Sequence, residues 1–457
     1  MQERHRLGEE EITRELLRPL VTTPAMMWVG FIGLGAVLAI FVFAVSWMFY
    51  WGLGVTGLQR PNMWGFMIVN FVFWIGISHA GVMISAILRL TQAEWRRPVT
   101  RAAEVMTIFS LMTAMLHPVI HTGRPWRTLY WVFPYDFWRN LWPDVRGPLV
   151  WDPSAILTYL TGSTLFLYTT MIPDMALARD RTTGWRRVLY TILALGWRGN
   201  ERQWKMQTIA GFLLSGLILP VFVSVHSIVS WDFAVSLVPT WHATVFAPYF
   251  VIGAIHSGVS AVVTLMALMR WLFRFENYIR LEHFDAIGRL LIAVGTGWLW
   301  FFLLDIFFAI YPQEARELEI MQFRLFEWPF NVLTALIFIF GYFIPVPIWV
   351  FQRFRRNVKI MFWTSILVNV GMWAERYWLI KPGLMRKYEW TFDWNWYRPS
   401  IVEISIVLGS FALVGFLLLV FSKIFPPISV WEEKEGQHFA QQLRVGKRVV
   451  NAIVREF

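Results

Sequence analysis

The stretch Ala286–Tyr311, AIGRLLIAVGTGWLWFFLLDIFFAIY, carries no charge between Arg289 and Asp305 and is apolar all the way round a helix. At about 1.5 Å per residue, a helix of this length covers the roughly 30 Å of hydrocarbon in a bilayer. Runs of the same kind lie at about 27–51, 63–90, 102–121, 153–178, 206–230, 242–273, 325–350, 358–380 and 399–424, which makes ten with this one. The whole chain agrees: 57% of its 457 residues are hydrophobic and 16% charged, with 28 Trp, 39 Phe and 13 Tyr. So few charges do not solubilise so much apolar surface. The expected fold is an all-α integral membrane protein with ten spans. The run 185–197 (WRRVLYTILALGW) is too short and too basic at its start, and reads as a helix lying in the interface.

Basic residues set the sidedness. They crowd the loops after the second span (Arg89, Arg96, Arg97, Arg101), the fourth (Arg179 to Lys205), the sixth (Arg270, Arg274, Arg280, Arg289) and the eighth (Arg353, Arg355, Arg356, Lys359). The intervening loops are poorer or long, so both termini are expected in the cytoplasm. The net charge of +11 reflects these loops facing anionic lipid and does not imply nucleic acid. Two loops rich in Trp and Tyr, His121–Asp152 and Ile380–Ser400, then lie outside and are expected to cap the helices. After Lys423, Phe439, Leu443, Val450, Ile453 and Phe457 recur at roughly helical spacing, as in an amphipathic arm.

An internal repeat organises the middle of the chain. Phe73-x-Ile75-Gly76-x-x-His79-Ala80-Gly81-Val82 aligns with Phe250-x-Ile252-Gly253-x-x-His256-Ser257-Gly258-Val259 at an offset of 177 residues. Both segments run in the same direction, as in parallel repeats. The expected organisation is an arm (1–26), a peripheral span (27–62), two four-helix bundles (63–241, spans 2–5, and 242–398, spans 6–9), a peripheral tenth span (399–424) and a tail (425–457).

The chain has no cysteine, which excludes thiolate-held iron–sulfur clusters and CxxCH-attached haem. His242 and His256 are 14 apart, as two stacked haems would require, but no partner helix offers a matching pair. Charged residues within spans are functional candidates by default. They are Asp305, Glu375 and Arg376, with Glu104, Asp174 and Asp285 nearer the inner ends. His117 and His121 share one face of the third span; Arg124 follows, and Asp152 opens the fourth. Asp before Pro153 reads as a helix N-cap, and equally as one member of a pair with His121. A histidine and a carboxylate at the mouth of a membrane cavity suit oxidation of a quinol, whose hydroxyls must give up protons. A secondary transporter built from parallel repeats is the competing class, against which stands the lack of matched Gly/Pro-broken helices.

The strings His79-Ala-Gly-Val, Arg101-Ala-Ala-Glu-Val-Met-Thr-Ile-Phe, His121-Thr-Gly-Arg-Pro-Trp and Pro148-Leu-Val-Trp-Asp-Pro resemble the NrfD-like family of membrane subunits, related to the polysulfide reductase anchor. With ten spans, the chain is most similar to the larger such subunit of bacterial alternative complex III. The resemblance implies a subunit of the bacterial cytoplasmic membrane that holds no haem, flavin or iron–sulfur cluster. It implies oxidation of quinol, menaquinol above all, at the outer face by His121 and Asp152, with His117 and Arg124 beside them. The implied partners are an iron–sulfur subunit outside, a multihaem c-type cytochrome and a second NrfD-like protein. It also implies a proton path through His79, Glu104, Asp174, His256, Asp285, Asp305, Glu375 and Arg376. An alternative assignment within the same relationship is the anchor of another quinone-linked, molybdoenzyme-type reductase.

Overall fold

The computed structural model describes residues 7–60, 62–128, 148–386, 396–445 and 448–453. Much of the two aromatic loops expected to act as caps lies outside these residues. A short amphipathic helix, α1 (Glu9–Val21), precedes α2 (Ala25–Trp51). The second span, α3, runs from Phe66 to Leu90 through a π-helical turn at Val82–Ile87. Then follow α4 (Arg97–His121), α5 (Pro148–Arg181), the short α6 (Gly184–Leu193), α7 (Glu201–Ala234), α8 (Phe246–Phe273) and α9 (Leu281–Ile310). The helix α10 (Ala315–Phe326) joins α9 to α11 (Phe330–Val350), which contains a second π-helical turn at Ile339–Phe343. The chain closes with α12 (Val358–Met385), α13 (Ile401–Ile424) and α14 (Val430–His438).

Among the described residues, nine helices (α2, α3, α4, α5, α7, α8, α9, α11 and α13) are long and apolar enough to cross a membrane. The tenth expected span, α12, has 28 residues, ample length for a crossing. It falls short in composition because Asn369, Glu375, Arg376 and Lys381 interrupt its apolar run. Protein covers those charges: Glu375, Arg376 and Lys381 are all buried. Successive helices place the basic loops at one end of the molecule, here the basic end.

Small residues let the two repeat segments meet. A Cβ on Gly76 would lie 3.6 Å from the Ala254 backbone, and one on Gly258 only 2.9 Å from the amide of Ala80, so α3 and α8 cross backbone to backbone. Each repeat histidine turns away from that crossing. His79 packs its ring against Tyr159 of α5 and Phe222 and His226 of α7, while His256 stacks on Trp298 of α9. The Nε2 of His256 lies 3.0 Å from the carbonyl of Gly341, inside the π-turn of α11. A π-turn shifts the backbone register and leaves such carbonyls free for side chains. The helices α2 and α13 pack on each other at the flank, with Gly409 against Phe41. The pair joins the rest where Ser410 accepts from Asn70 Nδ2 (2.7 Å) and Trp74 Nε1 (2.9 Å). Apolar side chains such as Phe43, Phe212 and Trp300 remain exposed on the outer faces, as lipid contact requires.

Of two shorter elements, one agrees with expectation and one does not. The helix α6 lies where an interfacial helix was expected, with Trp185, Val188 and Ile192 exposed and Tyr190 tucked under it to bond the Ile424 carbonyl at 2.6 Å. The tail, by contrast, is not one amphipathic helix. After α14 it forms an antiparallel hairpin, β1 (Ala440–Val445) with β2 (Arg448–Ile453). In the register of the two strands Leu443 is the partner of Val450 and Ala440 that of Ile453.

Candidate functional site

Three polar side chains lie on consecutive spans at the end opposite the basic loops. His121 ends α4, Asp152 sits in the early turns of α5, and Asp232 lies in the last turn of α7. Asp152 does not cap its helix: α5 begins at Pro148, so Asp152 stands inside it, 1% exposed. The carboxyls of Asp152 and Asp232 lie within hydrogen-bonding reach of one another, and the adjoining Trp151 and Trp231 rings lie 6.2 Å apart. A bond between two carboxyls requires that one of them donate, so proton sharing is what this pair does chemically. Asp232 was overlooked because it lies just past the apolar run of its span. The signal was a second Trp-Asp dipeptide at the same end of the next helix.

No hydrogen bond or ion pair joins His121 to Asp152 among the described residues, so the expected pair is not formed directly. Instead His121 Nδ1, Asp152 Oδ1 and Asp232 Oδ1 are each buried without a hydrogen-bond partner among the described residues. Such atoms cost about 1–3 kcal/mol each unless something outside the chain satisfies them. Arg124 is exposed beyond His121. His117, by contrast, is fully engaged: Nδ1 lies 2.7 Å from the Thr113 carbonyl and Nε2 2.7 Å from Asn70 Nδ2. With Nδ1–H donating to Thr113, Nε2 accepts from Asn70, which leaves no free ring nitrogen. His117 is a helix joint.

The second half places a different cluster at the same end. Tyr249 donates a short hydrogen bond to Glu375, whose other oxygen lies 3.3 Å from Arg376 Nε. The Arg376 guanidinium sits 4.7 Å over the Phe250 ring. Neither Arg324 nor Arg376, its expected partner, forms an ion pair with Asp305 among the described residues; Arg324 is the cation whose charge most offsets it. Arg324 comes from α10, is fully buried, lies 4.4 Å over Trp378 and donates to the Leu379 carbonyl at 2.8 Å. The sequence hid it in what looked like a connecting loop.

At the basic end the remaining acids are tied down. Asp174 pairs with Arg101 at 2.5 Å and accepts the backbone N–H groups of Val430 and Trp431 at 3.1 Å, anchoring the start of α14. Glu104 takes a short bond from Ser85 and another from Thr170 at 3.3 Å. Asp285 pairs with Arg355 at 2.8 Å. The C-terminal helix fills the mouth between these groups, where Glu432 meets Arg89 at 2.8 Å and Arg96 at 3.3 Å, and Glu435 meets Arg97 at 2.8 Å.

Residues 54–387 match the family described as polysulphide reductase, NrfD. The chain belongs to the NrfD family. The match takes in α3 to α12 and leaves out the flanking pair α2 and α13. Three relatives of this NrfD protein are each 23% identical to it. One, from Halobacterium salinarum, bears the name of a dimethyl sulfoxide reductase membrane subunit, and its match takes in 90% of this chain and 94% of the relative. Another belongs to the selenate reductase of Mesobacillus selenatarsenatis, with 85% of this chain and 90% of the relative covered. The Hdr-like menaquinol oxidoreductase integral membrane subunit of Archaeoglobus fulgidus matches over 82% and 87%.

Proposed function

We propose that this chain is the quinol-binding membrane subunit of a multi-subunit oxidoreductase, and that quinol is oxidised beside His121, Asp152 and Asp232. The observation that carries this reading is the set of three buried polar atoms, on three consecutive spans, that nothing in the described chain satisfies. A quinol supplies two hydroxyls that bond such atoms and must lose their protons as the ring is oxidised. In the balanced step the quinol gives up two protons and two electrons. One proton passes to the His121 imidazole and one to Asp152, from which Asp232 relays it towards water. The electrons leave the chain, which has no cysteine to hold a cluster. They pass to an iron–sulfur subunit docked at that end, and onward to a multihaem c-type cytochrome.

The names of the relatives support membership of a quinone-linked complex, and the Archaeoglobus relative makes menaquinol the substrate of choice. In this reading α12 is a tenth crossing, the two repeats are separate four-helix bundles, and the basic end faces the cytoplasm of a bacterial cell together with both termini. The arrangement is that of an alternative complex III, with a second NrfD-like subunit alongside. A second reading, favoured by the dimethyl sulfoxide and selenate reductase relatives, keeps the same quinol site and passes the electrons to a molybdoenzyme-type subunit. The proposal extends to proton translocation through His79, Glu104, Asp174, His256, Asp285, Asp305, Glu375 and Arg376, all of them buried.

The test is made in the assembled complex. Asp152→Asn and His121→Ala should each lower quinol oxidation by about 100-fold or more while the complex forms in normal amount. Normal turnover in an assembled Asp152→Asn complex would overturn the assignment.

A further inference from the structure

Among the described residues, a second basic cluster at the basic end has no acidic helix laid over it. The end of α8, the turn after it and the first turn of α12 enclose an open cleft of about 590 Å³. Arg270, Arg353, Arg356 and Lys359 line it against a single carboxylate, Glu276. Arg270 is spent on the carbonyls of Glu276 (3.1 Å) and Ile279. Arg353 lies 4.5 Å over the Phe354 ring. Arg353, Arg356 and Lys359 are exposed and form no ion pair among the described residues. This contrasts with Arg89, Arg96, Arg97 and Arg101, which carboxylates of α5 and α14 or nearby Glu94 neutralise.

What flanks the cleft decides what fills it. Trp271 belongs to its lining, and Leu268, three residues earlier on α8, shares that face. Trp363 stands one turn along α12 from Lys359. These side chains are 39%, 46% and 64% exposed for Trp271, Leu268 and Trp363. A charged mouth thus continues into exposed indole and aliphatic surface on helices of membrane-spanning length. A soluble anion or an acidic protein surface would use only the charges. A lipid with an anionic head and two acyl chains uses both.

We propose that this cleft binds the phosphate headgroup of an anionic phospholipid, whose acyl chains lie along Leu268, Trp271 and Trp363. The test uses the full chain in lipid nanodiscs, with phosphatidylglycerol offered against phosphatidylcholine and lipid retention read by native mass spectrometry. The wild type should retain phosphatidylglycerol preferentially. The combined variant Arg353→Gln, Arg356→Gln, Lys359→Gln should retain it roughly 100-fold less tightly, with phosphatidylcholine unchanged. Equal retention of phosphatidylglycerol by the two proteins would overturn the proposal. A measurement on the wild type alone guards against a variant that fails to fold. A phosphatidylglycerol with a photoactivatable acyl chain should crosslink to the peptides holding Leu268, Trp271 or Trp363, and crosslinks confined to other peptides would overturn the site. Inorganic phosphate that binds wild type in neutral-lipid discs, with the same dependence on the three cations, would mark a soluble-anion site and overturn the lipid assignment.

Discussion

The two halves of the molecule bury acids at the same end, yet they treat them in opposite ways. In the second half Glu375 has Arg376 at 3.3 Å and Asp305 has Arg324 as its balancing cation. In the first half Asp152 and Asp232 have only each other, and His121 Nδ1 has no partner among the described residues. A buried carboxylate with a cation close by has its charge offset, and removing either member is costly, although Asp305 Oδ2 and Glu375 Oε2 also keep no hydrogen-bond partner among the described residues. A buried carboxyl whose neighbour is another carboxyl has proton-sharing as its chemistry and spare acceptor atoms facing the site. In the proposed reading of two repeated bundles, the placement of a few arginines separates the half whose acids have cations near them from the half that holds the proposed quinol site.

The largest effect that would sharpen this contrast lies in the closed half. Asp305→Asn removes the acid that most offsets the buried Arg324 guanidinium and leaves Glu317 as the next, a loss below the about 3–5 kcal/mol of a broken contact pair. It should appear as a lower melting temperature and a lower yield of assembled protein. Adding Arg324→Leu should recover most of that loss, whereas adding Arg376→Leu should not. Recovery through Arg376 instead would show that Arg324 is not the cation that most offsets Asp305. In the open half the expected effects fall on turnover and spare assembly. Asp232→Asn keeps the size of the side chain and a hydrogen-bonding group, so quinol oxidation should fall only about tenfold. A collapse of assembly in that variant would show that the carboxyl pair holds α5 to α7 and does no more.

The smallest effect concerns α14. Burial raises the Glu433 carboxyl to about 7, only partly offset by Arg97 and Arg280. Because a free glutamate titrates near 4.3, the docked helix retains a proton that the undocked one has lost. Docking therefore weakens as pH rises from the ordinary carboxylate range towards 7. Glu432 has the opposite sign: burial opposes its charge, but Arg96, Arg89, Arg97 and Arg101 overrule that and hold it at about 2. Its contribution is complete above the ordinary carboxylate range and fades only as pH falls towards 2. A fluorophore attached through His438→Cys, clean in a chain without cysteine, should lose anisotropy by a modest factor between about pH 4.5 and 7. Glu433→Gln should flatten that slope.

Much of the architecture was legible because lipid imposes a simple rule: a long apolar helix has nowhere else to go. The runs at 27–51 and 286–311 needed no partner to be recognised, and the Gly and His of the repeat marked the crossing of α3 and α8. At α12 the apolar run 358–380 is interrupted by charges that protein buries, so its reading as a span rests on length more than on composition. For the site, His121 and Asp152 were visible as types in sequence, but pairing was not. Which carboxyl meets Asp152 depends on how α5 lies against α7, and which cation most offsets Asp305 depends on α10 folding back against the α12 segment that holds Trp378 and Leu379. Neither distance is written in local periodicity. The tail misled for a related reason, since apolar residues four to seven apart satisfy a helix and a hairpin alike.

The docking of α14 also has a consequence for the order of synthesis. Glu432 and Glu435 follow every membrane helix described here, so the ribosome makes them after all of those helices. Until they emerge, Arg89, Arg96 and Arg97 stand without the C-terminal partners they have in the finished fold. Uncompensated arginines are what hold a loop back from translocation. In the proposed orientation, with the basic end in the cytoplasm, the same side chains serve twice, first as retention signals while the chain is being inserted and then as the socket for α14. Neutralisation of these arginines by α14 thus comes only after every membrane helix described here has been made.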